Sequence, residues 1–158
     1  KLLFFLNNKL NGDLNKANDF LQDLFLKLIE KPSAFDSNRK FSTWIYNVAF
    51  NLCKNEYKKN QLLNIDNAFI QPEKIIVGEE KNLRDENKYT RFNTQLSIQL
   101  EKLDENQRTT FILKFKEGFT IKEIGMIMEC SDGTVKSRLF YTLKKLSINL
   151  KEYNPIAN

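Results

Sequence analysis

Residues Thr120–Leu146 read TIKEIGMIMECSDGTVKSRLFYTLKKL. Thr120 followed three residues later by Glu123 fits a capping box, in which each side chain satisfies a backbone N–H left free at a helix start. Ile121, Ile124, Ile127 and Met128 then recur at helical spacing, a turn sits around Glu129 to Gly133, and a longer helix follows. This is the layout of a helix-turn-helix. On the first helix Ile121, Ile124 and Met128 face inward; on the second, Val135, Leu139, Leu143 and Leu146 do so. That leaves Lys136, Ser137, Phe140, Tyr141 and Lys144 outward. A recognition helix enters the major groove by its first turns, where Lys or Arg addresses guanine O6 and N7, and Lys136 and Arg138 stand at those turns. The competing interpretation is a solvated basic helix packed on its own domain.

The totals narrow the field. With 158 residues the chain suits one ordinary domain or two small ones. Lys plus Arg number 25 against 20 Asp plus Glu, a net charge of +5, which favours an anionic partner without proving one. There is no histidine, which removes the commonest general acid/base and metal ligand. No glycine-rich phosphate loop is present, and the Glu79-Glu80 pair falls in a polar segment without a pocket, so an enzyme is not expected. Cys53 and Cys130 lack CxxC spacing; neither a zinc site nor a disulfide framework is indicated, and both are expected to be reduced. The early apolar run Leu2–Leu6 is too short for a membrane span. The chain does not begin with Met, and its natural N-terminus is expected to extend further.

With five Gly, three Pro and apolar residues recurring at threes and fours, the expected fold is all-α: two small helical domains joined by a flexible linker, the C-terminal one a helix-turn-helix. The first domain, residues 1–60, is expected to hold a helix over 1–10, a helix from Ala17 whose stripe is Phe20, Leu21, Leu24, Phe25 and Leu28, and a helix from Ser42 or Thr43. Lys31-Pro32 ends the second of these, because the residue before Pro is pushed out of the α region. Residues 61–90, rich in Asn, Glu, Asp and Lys, read as the linker. The second domain, 91–153, adds helices carrying Leu96, Leu100 and Leu103, then Phe111, Ile112 and Phe115, with Asp104 and Gln107 placed for another capping box.

GFTIKEIGMIMECSDGTVKSRLFYTLKKL resembles the fourth conserved region of bacterial RNA polymerase sigma factors, through its G-x-[ST]-x-x-E-I stretch and its G-T-V-[KR]-S-R run. ANDFLQDLFLKL and FSTWIYNVAFNLCKNEYKK resemble the second conserved region. Two matches in this order, joined by a poorly patterned segment, resemble the compact extracytoplasmic-function (ECF) class. The resemblance implies a non-catalytic, cofactor-free, metal-free specificity subunit of the bacterial cytoplasm, with core RNA polymerase and promoter DNA as partners. The polymerase contacts would be the largest subunit's clamp helices and the flap. An anti-sigma factor or another recruiting protein is a further partner the resemblance allows.

The same resemblance assigns roles to surfaces. Asp19, Gln22 and Asp23, opposite the apolar stripe, would meet polymerase. The FDSNRKFSTW segment, with Asn38, Arg39, Lys40, Phe41 and Trp44, would open the minus-ten element; aromatic faces take unstacked bases and cations take the backbone. Trp44 is spaced with Ile45 and Val48 and fits a core position equally well. Asn47, Asn51, Lys54 and Lys58, flanked by Tyr46 and Phe50, would extend that DNA surface. Thr134, Lys136, Ser137, Arg138, Phe140, Tyr141 and Lys144 would read the minus-thirty-five element. Two positions depart from the family: residue 47, often Arg, is Asn, and Tyr141 replaces a common Arg. Each missing phosphate contact lowers the salt slope of DNA binding by about 0.9. The alternatives are an autonomous helix-turn-helix regulator, a sigma-like factor placed on DNA by a recruiting protein, or an adaptor that works through protein contacts.

Overall fold

The computed structural model describes residues 1–63 and 86–153, without the side chains of 62, 63, 86 and 87. Within them the chain is helical, with no strand. The first half comprises α1 (Leu2–Lys9), α2 (Leu14–Glu30) and α3 (Phe41–Leu63). The second comprises α4 (Glu86–Glu101), α5 (Glu105–Phe111), α6 (Ile121–Met128) and α7 (Asp132–Asn149). The expected linker lies across 64–85, outside the described residues; its flanks, 61–63 and 86–90, belong to α3 and α4.

Side chains set the helix ends. Asp13 caps α2 by accepting from the Lys16 N–H, so the helix begins at Leu14, three residues before the predicted start. Pro32 follows its end and begins a single 3₁₀ turn, Pro32–Ala34. At α6 the capping box is complete: Thr120 Oγ1 accepts from the Glu123 N–H at 3.2 Å, and Glu123 Oε2 accepts from the Thr120 N–H at 2.9 Å. Asp104 caps α5, but the Gln107 side chain accepts from Lys145 instead of returning to residue 104. Ser131 caps α7 through the Thr134 N–H.

Three core assignments change. Thr142, not Leu143, is the buried residue between Leu139 and Leu146; Leu143 is 44 % exposed. The sequence 135, 139, 142, 146 keeps closer to one helix face than a second step of four does. Phe115 is also outside, because residues Ile112–Lys116 form a π-helical turn that rotates it away and leaves Leu113 fully buried. Phe25 is half exposed at the margin of the α2 stripe.

One apolar core runs through both halves. Phe5, Leu24, Ile45, Tyr46, Ala49 and Phe50 of the first half pack with Leu113, Phe119, Ile124, Ile127 and Val135 of the second. The Tyr46 ring meets the Phe119 ring edge-on at 4.8 Å between centroids. A smaller cluster of Leu100, Leu103, Phe111, Leu146 and Leu150 secures α4 and α5 to α7. Burying an aliphatic or aromatic side chain fully is worth about 1.5–3 kcal/mol, against about 0.5–1.5 kcal/mol net for a hydrogen bond. Apolar contact therefore supplies the cohesion between the halves, and polar contacts fix the register.

Candidate nucleic-acid and partner interfaces

The helix-turn-helix is built on a close approach at its turn. Helix α6 ends at Glu129, which takes the left-handed conformation at φ 54°, and the Cys130 N–H bonds back to the Gly125 carbonyl. Beyond Ser131, α7 presents Lys136, Ser137, Phe140, Tyr141 and Lys144 to solvent, with Thr134 and Arg138 half-buried. Arg138 Nη1 lies 3.5 Å from Cys130 Sγ, which steadies the guanidinium against the turn. Phe140 and Tyr141 touch edge to face, 5.4 Å apart, forming an exposed aromatic pair beside Lys144.

In the loop ahead of α3, Asp36 organises the chain: its Oδ1 accepts from the Asn38 N–H, and its carboxylate pairs with Arg39 at 3.3 Å. Phe35, Phe41 and Trp44 form a mutual cluster with centroids 5.4 to 5.9 Å apart. Phe41 is 44 % exposed, whereas Trp44 is half-buried against the core, so it occupies both positions its spacing allows.

Along α3, the stripe is divided. Lys54 and Lys58 are exposed, but Tyr46 and Phe50, expected to flank a DNA surface, are buried in the core. Asn47 and Asn51 are half-buried and turned toward α6. Asn47 Nδ2 donates to the carbonyls of Met126 at 3.1 Å and Ile127 at 2.9 Å; Asn51 Nδ2 donates to Glu129 Oε1 at 2.9 Å. Lys40 Nζ meets Glu123 Oε1 at 2.8 Å, and the Tyr46 hydroxyl donates to Glu117 Oε2 at 2.7 Å. These acceptors on the second half were not legible in the sequence, which shows only carboxylates at the edges of a helix.

Opposite the buried side of α2, Asp19, Gln22 and Asp23 are exposed, as expected. The same face also carries residues that sequence analysis missed: Leu26 at 55 % exposed, Ile29 at 74 %, and Glu30. Their spacing from Gln22 is the available signal, since steps of three and four keep residues on one face. A helix with an acidic margin and two uncovered aliphatic side chains has the makeup of a protein-docking surface, since exposed apolar groups rimmed by polar ones mark such sites.

Residues 1–62 match the sigma-70 region 2 family, and residues 95–146 match sigma-70, region 4. The chain is 32% identical to the ECF RNA polymerase sigma-E factor of Haemophilus influenzae, over 80% of this chain and 70% of that protein. This chain belongs to the ECF sigma factors. It is also 27% identical to the ECF sigma factor SigW of Bacillus subtilis, over 95% of this chain and 83% of that protein. Its fold is similar to that of the sigma factor RpoE in a co-crystal structure with the anti-sigma factor NepR from Bartonella quintana. That match has a TM-score of 0.74 and 24% identity over 95% of this chain and 89% of the other.

The electrostatics of this sigma factor make its fold sensitive to acid. The Lys40 ammonium, and then the Thr120 N–H, lower the Glu123 carboxyl from its ordinary 4.5 to about 2. Asn51 lowers Glu129, and Lys16 lowers Glu56. A depressed carboxyl stabilises the fold fully above its unfolded value and loses that contribution as pH falls toward the folded one. The melting temperature should therefore be insensitive to these groups above about pH 4.5 and decline between there and pH 2. Glu123→Gln should flatten part of that decline in a calorimetric pH series; an unchanged slope would show that Lys40 does not hold the carboxylate. Elsewhere, burial pushes the Cys53 thiol up to about 11, opposed by the nearby Lys9 ammonium, which suits an inert core thiol.

Proposed function

We propose that this sigma factor divides its work among three surfaces, and that it is a non-enzymatic protein of the bacterial cytoplasm. The outward face of α2, with Asp19, Gln22, Asp23, Leu26 and Ile29, docks on the clamp helices of core polymerase. Asn38, Arg39, Lys40, Phe41 and Trp44, continued by Asn47, Asn51, Lys54 and Lys58, handle the opened minus-ten strand. Thr134, Lys136, Ser137, Arg138, Phe140, Tyr141 and Lys144 meet the minus-thirty-five duplex. What supports this most is the presence on one chain of an uncovered docking helix and a separate DNA-reading helix, because an autonomous regulator needs only the second. Among the described residues, no helix is long and apolar enough to cross a membrane.

Relatives indicate how such a factor is restrained. RpoE has been crystallised with the anti-sigma factor NepR, and CnrH with the cytosolic domain of CnrY. A protein anti-sigma factor is accordingly expected for this chain. The test of the whole assignment is reconstitution: the purified chain should co-elute with core polymerase and start transcripts at a defined site. Failure to co-elute would overturn it.

Lys136→Ala separates base reading from phosphate contact. If Lys136 reads a base, the variant should lose about 1–3 kcal/mol on the cognate upstream element and little on a mutated one. An equal loss on both, with the salt slope reduced by about 0.9, would assign it to the backbone. With Asn at 47 and Tyr at 141, the wild-type slope should be shallower than in a relative bearing Arg at both. An equally steep slope would show that other residues supply those contacts.

A further inference from the structure

The chain has one Asn-Gly pair, Asn11-Gly12, and the fold places it between α1 and α2 in a conformation that side chains usually avoid. Asn11 is exposed at φ 58° and Gly12 follows at φ 85°, so two consecutive residues are left-handed. They close α1: the Gly12 N–H donates to the Asn7 carbonyl at 2.9 Å, the long bond of a Schellman turn. They also set the start of α2, since the next residue, Asp13, caps that helix and donates its own N–H to the Leu10 carbonyl at 3.2 Å. One short turn thus ends α1 and begins the helix that carries Asp19, Leu26 and Ile29.

We infer that Asn11-Gly12 is a deamidation site held in check by the turn it forms, and that its conversion to isoaspartate disables α2 as a docking helix. In an Asn-Gly pair the next backbone nitrogen can reach the side-chain amide, and a glycine with no Cβ leaves that nitrogen unshielded. The Gly12 nitrogen gives up its proton and bonds to Asn11 Cγ; the bond from Cγ to the amide nitrogen breaks, ammonia leaves, and a five-membered succinimide remains. Water then opens the ring. Opening at the Asn11 main-chain carbonyl leaves the chain running through Cγ, an isoaspartyl link with one more main-chain carbon and a new carboxylate; opening at Cγ gives aspartate. In the folded chain the Gly12 N–H is committed to Asn7, so attack waits on local opening of the turn. The isoaspartyl product cannot rebuild that turn. Its extra carbon carries the Gly12 N–H off the Asn7 carbonyl and displaces the Asp13 cap, and its carboxylate stands at the negative end of the α1 dipole. The effect on polymerase rests on the docking role proposed for α2; the chemistry and its restraint by the turn do not.

Mass spectrometry follows each step. The full chain is held in mildly alkaline buffer, sampled over days and digested with trypsin, which releases Leu10–Lys16. Conversion exchanges an amide NH2 for a hydroxyl in that peptide, and isoaspartyl methyltransferase labels the isoaspartyl form. The folded chain should convert about tenfold or more slowly than synthetic Leu10–Lys16 peptide, and reach the peptide's rate once the chain is melted. The isoaspartyl fraction should melt at a lower temperature and bind core polymerase about tenfold less tightly than unmodified chain. Asn11→Gly keeps the left-handed turn and lacks the amide, so it should hold its affinity through the same incubation. Asn11→Asp adds the charge without the extra carbon and should bind nearly as wild type does. Equal rates in folded chain and peptide would overturn the restraint by the turn. An isoaspartyl fraction with unchanged melting temperature and polymerase affinity would overturn the disabling of α2, and a loss as large in fresh Asn11→Asp would overturn its main-chain cause. If unmodified chain does not bind polymerase, the docking role of α2 fails instead. The conversion rates and the melting temperature of the isoaspartyl fraction then decide the rest.

Discussion

Leu26→Glu combined with Ile29→Glu should weaken binding to core polymerase by about 2–4 kcal/mol, roughly thirty- to a thousandfold, without lowering the melting temperature of the free chain. The two side chains are 55 % and 74 % exposed, so the fold gains little from them, and substitutions at such positions usually change stability by less than about 0.5 kcal/mol. An interface behaves differently. Aliphatic groups at its centre are desolvated, and placing a carboxylate there leaves a charge with no water and no partner. Asp19→Ala and Asp23→Ala should cost less, because rim charges act mainly on the association rate and its salt dependence. The measurement is a titration of core polymerase with labelled chain at two salt concentrations. Unchanged affinity for the double variant would remove α2 from the docking surface, and a fall in melting temperature of several degrees would show that the side chains serve the fold instead.

How far the sequence discloses this protein depends on whether the deciding interaction is local. Caps are local: Thr120 with Glu123, and Asp104 ahead of α5, are readable because both partners lie within one helical turn, although the Gln107 side chain does not complete the second box. The α2 stripe is readable in part, since periodicity identifies Leu24 as core and Phe20 and Leu21 as packed against it. It fails at Phe115, where a π turn changes the angular step, and at Leu143, where a Thr of the right direction outranks a Leu of the right chemistry. Periodicity also states which face is apolar but not what covers it. Tyr46 and Phe50 have the composition of a base-stacking surface and the position of a core, and only the packing of Phe119 against Tyr46 decides between them. Asn47 is the sharpest case: the sequence registers a missing cation, while the fold supplies the two carbonyls that make an amide useful.

Gly125→Ala should destabilise the helix-turn-helix by about 1–3 kcal/mol, although glycine to alanine within a helix ordinarily helps. Two effects oppose each other. The helix-propensity gain is at most about 1 kcal/mol. Against it, a Cβ at 125 would lie 2.8 Å from the Cys130 carbonyl oxygen and 3.2 Å from Asp132 Oδ1. The Asp132 side chain can swing away, but the Cys130 carbonyl cannot, because it belongs to the turn that the Cys130 N–H ties to the Gly125 carbonyl. Relief requires the turn to open, which re-aims the first turns of α7 and carries Lys136 and Arg138 with them. The steric cost therefore exceeds the propensity gain, and it falls on DNA reading as well as on stability. For a chain of this length the expected loss is about 2–4 °C in melting temperature per kcal/mol, accompanied by weaker binding to the upstream promoter element at an unchanged affinity for core polymerase through α2. A more stable variant with intact upstream binding would mean that the turn tolerates a side chain and that the close approach at Gly125 does not set the angle between α6 and α7.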